Sequence, residues 1–428
     1  MAAELIALLI VFIALLALAV PVGVCLGLAA IVAVASIGDV PTGYVVAQRI
    51  ATGIASFPLL AIPFFILAGL LMGEGGMAKR LMSLAAALVG WLPGGLAYMT
   101  TVTCMLFGAV SGSAAAAVSS IGTFMIPQMV GNGYRREFSV AITATSATTG
   151  LLIPPSNIMI VYAVVAGNVS VAALFMAGVI PGILVGTAIM AAAFVYNVRQ
   201  GVEQRVGAPP LLTAFADAAP SLMLIVIVLG GILGGIFSAT EASVISVAYA
   251  LVLSVAVYRQ IEVSRLPAIL LRSAKTTSVV MLLVGTSQAV SWALAYERVP
   301  QTAAAALLAV SQDWIVVLLI INVLLLIVGT FMDMTPAVLV FTPILLPAVV
   351  ALGIDPVHFG IVMIANLCIG LCTPPVGTCL FLGCSVGQTT IARVVPSAIP
   401  FFIAMTIAML LITYVPGLSL WLPRLLGL

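Results

Sequence analysis

A helix-length apolar segment with two adjacent prolines at its centre sets the terms for the whole chain: Thr148 to Tyr162 reads TTGLLIPPSNIMIVY, with Gly150 and Pro154-Pro155 in the middle. Proline removes a backbone donor and collides with the preceding turn, so a helix here must stop and restart. A second such segment, IGLCTPPVGTCLFL, spans Ile369 to Leu382 with Gly370 and Pro374-Pro375. Hydrophobic residues make up 64% of the 428 and charged ones only 6%, more apolar material than one water-soluble core can hide. The expected fold class is therefore an all-α polytopic membrane protein. Both breaks then lie in the hydrocarbon layer, where irregular backbone survives only if protein or a water-filled cavity surrounds it.

Residues 5–38 are apolar throughout. As one helix they would run roughly 50 Å against a hydrocarbon core of roughly 30 Å, so Pro21 is expected to divide two short spans. A polar stretch, 39–56, leads to a span over 57–73. Residues 74–95 carry Lys79 and Arg80 on an otherwise apolar helix, which suits an element lying in the interface. Residues 96–130 hold no charge and have SGS, Ser111 to Ser113, at their centre. Each arm is marginal as a span, which predicts a re-entrant helical hairpin with its tip at that SGS. A broken transmembrane helix over 137–166 and a span over 171–198 complete a first half, 1–198. A cytoplasmic linker, 199–219, contains RQGVEQRVGAPP. The second half, 220–428, is expected to hold spans at 220–237, 240–258 and 277–295, with a basic amphipathic segment (Arg259, Arg265, Arg272, Lys275) before the third. A second hairpin over 314–350 has its tip in GTFMDMTP, Gly329 to Pro336; a broken helix over 357–386 and a span over 395–415 follow.

The two halves share punctuation. Subtracting 220 takes Pro347 to Pro127, Gly353 to Gly133, Gly370 to Gly150, the second Pro-Pro to the first, and Gly387 to Gly167. An odd number of crossings per half makes the copies inverted-topology repeats, a frequent design of secondary transporters. Placing loops 74–95, 131–137, 199–219, 259–276 and 387–394 on one side collects all but Arg49, Arg298 and Arg424 of the 14 basic residues. That side should be cytoplasmic, which leaves both termini outside the cytoplasm.

Several chemistries are disfavoured. Basic residues scattered among apolar spans do not make a nucleic-acid surface. The six cysteines lie in apolar helices, and no histidine joins Cys368, Cys372 and Cys379 on their shared face to make a metal site. No basic region precedes the first apolar run, where Glu4 stands, so no cleavable signal is expected. An intramembrane serine hydrolase built on Ser111 would need a base within reach, and the sole histidine, His358, follows Asp355-Pro356, which marks it as the start of a helix at a surface end of the other half.

A broken helix exposes carbonyls at the end of its first part and N–H groups at the start of its second, suiting a cation and an anion respectively. Hard oxygen groups suit sodium as a coupling ion. The cation candidates are Ser111, Gly112, Ser113, Gly150 and Pro154 in the first half, and Gly329, Thr330, Asp333, Gly370, Thr373, Pro374 and Gly377 in the second. For substrate they are Ser111, Ser113, Ser156, Asn157, Thr335 and Thr378. Pro-Pro could merely kink a helix, but the device occurs twice at equivalent places. Asp333 is either an intramembrane functional carboxylate or, as Thr330-x-x-Asp333, a cap for the returning arm. Ser238-x-x-Glu241 reads as a capping box. The steps Gly230-x-x-x-Gly234, Gly231-x-x-x-Gly235 and Gly178-x-x-x-Gly182 permit close helix approach, within the chain or to a partner.

At these residues the sequence resembles the large membrane subunit of the tripartite ATP-independent periplasmic (TRAP) transporters. The strings that carry the likeness are GAVSGSAAAAVSSIGTFMIPQMVGNGY (Gly108 to Tyr134), GLLIPPSNIMIVYA (Gly150 to Ala163), LFMAGVIPG (Leu174 to Gly182), GTFMDMTPAVLVFTPILLP (Gly329 to Pro347), GIDPVHFG (Gly353 to Gly360) and GLCTPPVG (Gly370 to Gly377). The resemblance implies a sodium-driven importer of an organic acid, such as a dicarboxylate or sialic acid, in a bacterial inner membrane. It also implies an elevator-like movement of hairpins and broken helices against a scaffold. Its partners would be a small four-helix membrane subunit, expected as a separate chain, and a periplasmic substrate-binding protein. A related sodium/dicarboxylate or ion-type carrier that works alone is the alternative.

Overall fold

The computed structural model describes residues 2–38, 40–167, 169–201, 207 and 209–428, with backbone only for 2–5; all regular structure among them is helical. Asp39, Asn168 and six residues of the 199–219 linker, 202–206 and 208, lie outside the described residues.

Pro21 does divide the first apolar run: α1 (Ala2–Ala17) ends before it and α2 (Val22–Ile37) begins just after it. The stretch 39–56, read as polar connection, instead forms α3 (Thr42–Ile54), a helix short enough for its polar residues to mask it. A 3₁₀ turn, Phe57–Leu60, leads into α4 (Ala61–Glu74). The amphipathic α5 (Met77–Val89) buries Met77, Leu81, Leu84 and Ala85 and leaves Lys79 exposed, as an interfacial element should. The first hairpin is α6 (Gly95–Ser111) and α7 (Ala114–Gly131). Gly112 turns between them at φ +59°, a left-handed conformation that glycine adopts freely, and the Ser113 hydroxyl caps α7 by accepting from the Ala116 N–H at 3.3 Å.

The first broken helix consists of α8 (Arg136–Thr148), a 3₁₀ turn Thr149–Leu151, and α9 (Asn157–Ala166); α10 (Val171–Gln200) follows. In the second half α11 (Leu211–Leu233) starts nine residues before the expected span, carrying Pro220 inside it. Helix α12 (Ala239–Leu251) opens on the Ser238–Glu241 capping box and runs on as a π turn to Val257. The segment 259–276 is not a separate amphipathic element: α13 (Leu266–Tyr296) incorporates most of it, with Pro267 in the first turn and nothing afterwards to stop propagation. The sequence reading did not anticipate α14 (Val299–Val310) or α20 (Gly417–Leu425). Between them lie the hairpin arms α15 (Trp314–Phe331) and α16 (Met334–Ala351), the broken helix α17 (Pro356–Gly370) and α18 (Thr378–Val386), and α19 (Ile391–Tyr414). Nine helices among the described residues are long and apolar enough to cross a membrane, judged by length and composition. They are not the expected crossings, because they include the hairpin arms α7, α15 and α16 and omit the broken helices and the shorter α1 and α2.

Glycine lets the breaks pack backbone to backbone. A Cβ on Gly108 of α6 would overlap Gly150, and one on Gly370 would lie 2.6 Å from the Gly329 Cα. The small-residue step of α10 serves the same end, since a Cβ on Gly178 or Gly182 would strike Leu152 or Ile153 in the first break. That step therefore packs internally, whereas Gly230 and Gly234 are exposed. The first arms of the two breaks meet where the Cys368 and Cys372 thiols donate to the carbonyls of Thr148 and Ala144, both at 3.4 Å. Some buried polar groups here are paired: Thr101 and Ser146 hydroxyls lie 2.9 Å apart, and the Asn366 Nδ2 donates to the Asn322 side-chain and main-chain oxygens at 3.1 and 2.9 Å.

Contacts also gather the basic loops at one end of the bundle. Arg272 pairs with Glu74, the Arg80 guanidinium stacks over Tyr258, Asn197 donates to the Gly94 carbonyl, Phe138 stacks on Tyr196, and Arg136 donates to the Gly387 carbonyl at 3.1 Å.

Candidate ion and substrate site

Both hairpin tips and both breaks converge on one cavity of about 730 Å³. Gly112 and Ser113 enter from the first tip and Asp333 and Thr335 from the second; Asn157 and Thr378 enter as the first residues of α9 and α18. Ile62 and Ile66 of α4, and Thr276 and Val280 of α13, close the opposite wall. Elements more than two hundred residues apart in sequence thus deliver their chain ends to a single space.

Four of the six substrate candidates, Ser113, Asn157, Thr335 and Thr378, line the cavity directly. Ser111 and Ser156 lie behind that lining, buried. The Ser111 Oγ, Ser156 Oγ and Asn157 Oδ1 atoms are buried and have no hydrogen-bond partner among the described residues. Gly112 sits among them: a Cβ there would touch the Asn157 N and Nδ2 and the Pro155 carbonyl, each at 3.4 Å. Orphaned buried oxygens are costly, about 1–3 kcal/mol each, and such a cluster is what a hard cation would satisfy.

The second tip is built differently. Met332–Asp333 makes the turn, and Asp333 stands at the cap position of α16 while its Oδ1 accepts from the Thr378 hydroxyl at 3.3 Å. The carboxylate therefore reaches across to the second break as well as heading its own helix. The Val376 N–H donates to the Thr330 carbonyl at 3.2 Å, tying the tip to the break. The Thr330 and Thr373 hydroxyls bond back to Ile327 and Ile369 in their own helices, at 2.7 and 2.8 Å. Among the remaining cation candidates, Gly150, Gly329 and Gly370 are the close-packing positions, Pro154 is buried, and Gly377 turns at φ +38°. None of these, nor Pro374, lines the cavity. Cys379 does line it, beside Thr378; the sequence placed it on one helical face with Cys368 and Cys372 and gave it no part in this site.

His358 does stand at the start of α17, after the Asp355 cap, but it is buried, 1% exposed, rather than at a surface end. Its Nδ1 lies 2.7 Å from the Ser419 hydroxyl and its Nε2 3.2 Å from the Thr413 carbonyl, so it fastens α20 to α17. Both ring nitrogens are engaged there, and His358 lines a different cavity from the one beside Ser111. Tyr162 fastens the other pair of elements by donating to the Pro356 carbonyl at 2.6 Å. Tyr162→Phe is expected to lower stability by about 1 kcal/mol, read as a drop in melting temperature; an unchanged melt would show the bond to be idle.

The family profile of the tripartite ATP-independent periplasmic transporter, DctM component, matches residues 9–418. A C4-dicarboxylate TRAP transporter large permease from Rhodobacter capsulatus is 38% identical over 97% of this chain and 98% of its own. An isethionate TRAP transporter permease from Oleidesulfovibrio alaskensis is 43% identical over 95% of this chain and 64% of its own. The crystal structure of the YdaH transporter from Alcanivorax borkumensis shares the fold, with a TM-score of 0.65 at 14% identity over 90% of each chain. The helical bundle, its two hairpins and its two broken helices are those of a multi-pass membrane transporter, and the chain belongs to the family of TRAP transporter large permeases.

Proposed function

We propose that this large permease imports an organic acid coupled to sodium, with the central cavity as the place where both are held. The observation that carries the reading is the convergence of both hairpin tips and the second arms of both breaks on one cavity. The donor set fits a hard cation: Ser111, Ser156 and Asn157 offer buried oxygens with no partner, close to the Pro155 carbonyl. Sodium held there would complete those unsatisfied groups. Asp333, Thr335 and Thr378 supply the corresponding oxygens from the other half, with Ser113 and Asn157 placed to orient a substrate. The N–H groups that open α9 and α18 favour an anionic group at the same place. The relatives' names, C4-dicarboxylate and isethionate, point to a small organic acid.

Inverted repeats are supported by element bounds. Adding 220 takes the starts of α7, α8 and α10 to those of α16, α17 and α19. Cys368 also touches Thr148, its own counterpart at that offset, as expected where a two-fold axis passes. The halves are 1–198 and 220–428. Hairpins and broken helices move together against α2–α4 and α11–α13, an elevator step that carries the cavity across. The basic end, held together by Arg272–Glu74 and Arg136–Gly387, faces the cytoplasm of a bacterial inner membrane, with both termini outside. A small membrane subunit, as a separate chain, and a periplasmic binding protein complete the system.

In proteoliposomes containing both membrane subunits, supplied with loaded binding protein, an inward sodium gradient should drive accumulation of the acid. Uptake indifferent to sodium would sink the coupling; full uptake without the small subunit would favour a carrier that works alone.

A further inference from the structure

A second cavity, of about 840 Å³, is lined by Arg49 and Thr52 of α3, Gln288, Ser291 and Trp292 of α13, and, across from them, Val165 of α9 and Pro343 of α16. It lies at the end of the bundle away from the basic loops, because its α13 residues are within two turns of Tyr296 whereas Arg272, at the other end of that helix, pairs with Glu74. The Arg49 guanidinium lies 5.6 Å from the centre of the Trp292 ring, held over its face. Among the described residues Arg49 has no acidic partner. An exposed guanidinium in a charge-poor membrane protein, lining a cavity with the Gln288 amide and the Ser291 hydroxyl, is an anion-binding arrangement.

The same helix faces connect this cavity to the central one. On α13, Thr276 and Val280 line the central cavity and Gln288 and Trp292 this one, a continuous step of four residues per turn with Val284 between. On α9, Asn157 and Val161 face the central cavity and Val165 this one, again at four-residue spacing. Val280 and Gln288 are separated by about 12 Å of helix. We infer that the Arg49–Trp292 cavity is an outer binding site for a small organic anion, occupied before the anion descends the α9/α13 seam to the hairpin tips. Guanidinium pairing would hold the carboxylate or sulfonate, and Val165 and Pro343 would face its carbon skeleton. This rests on the organic-acid reading above and assigns it a first point of contact.

The test uses the full chain in nanodiscs with Trp91, Trp314 and Trp421 replaced by Phe, leaving Trp292 as the sole indole. Titration with acetate, succinate and isethionate, at constant ionic strength set with chloride, should change Trp292 fluorescence saturably. Arg49→Gln should abolish the response and Arg49→Lys should weaken its half-saturation about 10-fold or more. An unchanged response in Arg49→Gln, or none to any of the three anions, overturns the inference. Ser113→Ala separates the two readings, since it strikes the central cavity and should leave the Trp292 response in place. Loss of the response in Ser113→Ala would place the anion in the central cavity and overturn the outer site, whereas sodium-independent uptake with the response intact would remove the coupling reading alone.

Discussion

Gly150→Ala is expected to cut sodium-driven uptake at least ~10-fold per folded molecule, while Gly131→Ala leaves it unchanged. The first substitution puts a methyl group where the Gly108 backbone already lies, and neither partner is a side chain that can swing away. Overpacking of this kind costs about 1–3 kcal/mol, and the strain must be taken up by moving α6 away from the break. That displacement separates Ser111 and Gly112 from Asn157, and misplacement by about 1 Å can cost ~10²-fold in a process that depends on converging groups. Gly131 ends α7 in open space, so its Cβ meets nothing within 4 Å. The paired measurement is initial uptake, normalised to protein that elutes as a monodisperse peak and melts cooperatively. Wild-type uptake by Gly150→Ala would show that the hairpin and the break need not touch. Gly370→Ala should behave like Gly150→Ala, because the Gly329 backbone stands 2.6 Å from its new Cβ.

Much of this arrangement is legible in the sequence because it is written in residues with narrow backbone rules. Pro21, the two Pro-Pro pairs, the SGS tip and the Ser238–Glu241 box each specify a local conformation, and the helix ends fall within a few residues of where these signals put them. What sequence leaves unstated is of two kinds. Helices without such marks, such as α14 and α20, are short and mixed in polarity, so neither period nor length distinguishes them from connections. Position in space is the other: nothing about His358 in one chain reveals that Ser419, sixty-one residues later, returns to bury it. The same limit explains the candidate site. The tips and breaks are named by their residues, but only packing separates Ser113 and Thr378, which face the cavity, from Thr330 and Thr373, whose hydroxyls bond back to their own helices. Gly150, Gly329 and Gly370, named as ion ligands, are also contact points, since both carbonyl exposure and close packing demand the same residue.

Ser111→Ala separates a cation ligand from a structural hydroxyl, because the two roles give opposite signs. Ser111 Oγ is buried without a partner, and with Ser156 Oγ and Asn157 Oδ1 it forms a cluster of unsatisfied oxygens beside Gly112. In sodium-free buffer such a group lowers stability, so removing it should raise the unfolding free energy by about 1 kcal/mol or leave it unchanged. Sodium that binds only the folded protein should stabilise the wild type by about 2.7 kcal/mol at a hundred times its dissociation constant. The variant, with one oxygen fewer, should need ~10-fold or more sodium for the same gain, and half-maximal uptake should shift to higher sodium by a similar factor. Ser156→Ala should follow the same pattern. Melting temperatures across a sodium series, with potassium as the ionic-strength control, read both quantities in one experiment. A Ser111→Ala protein that is destabilised without sodium, yet gains as much from sodium as the wild type, would make the hydroxyl a packing group and move the cation away from the first break.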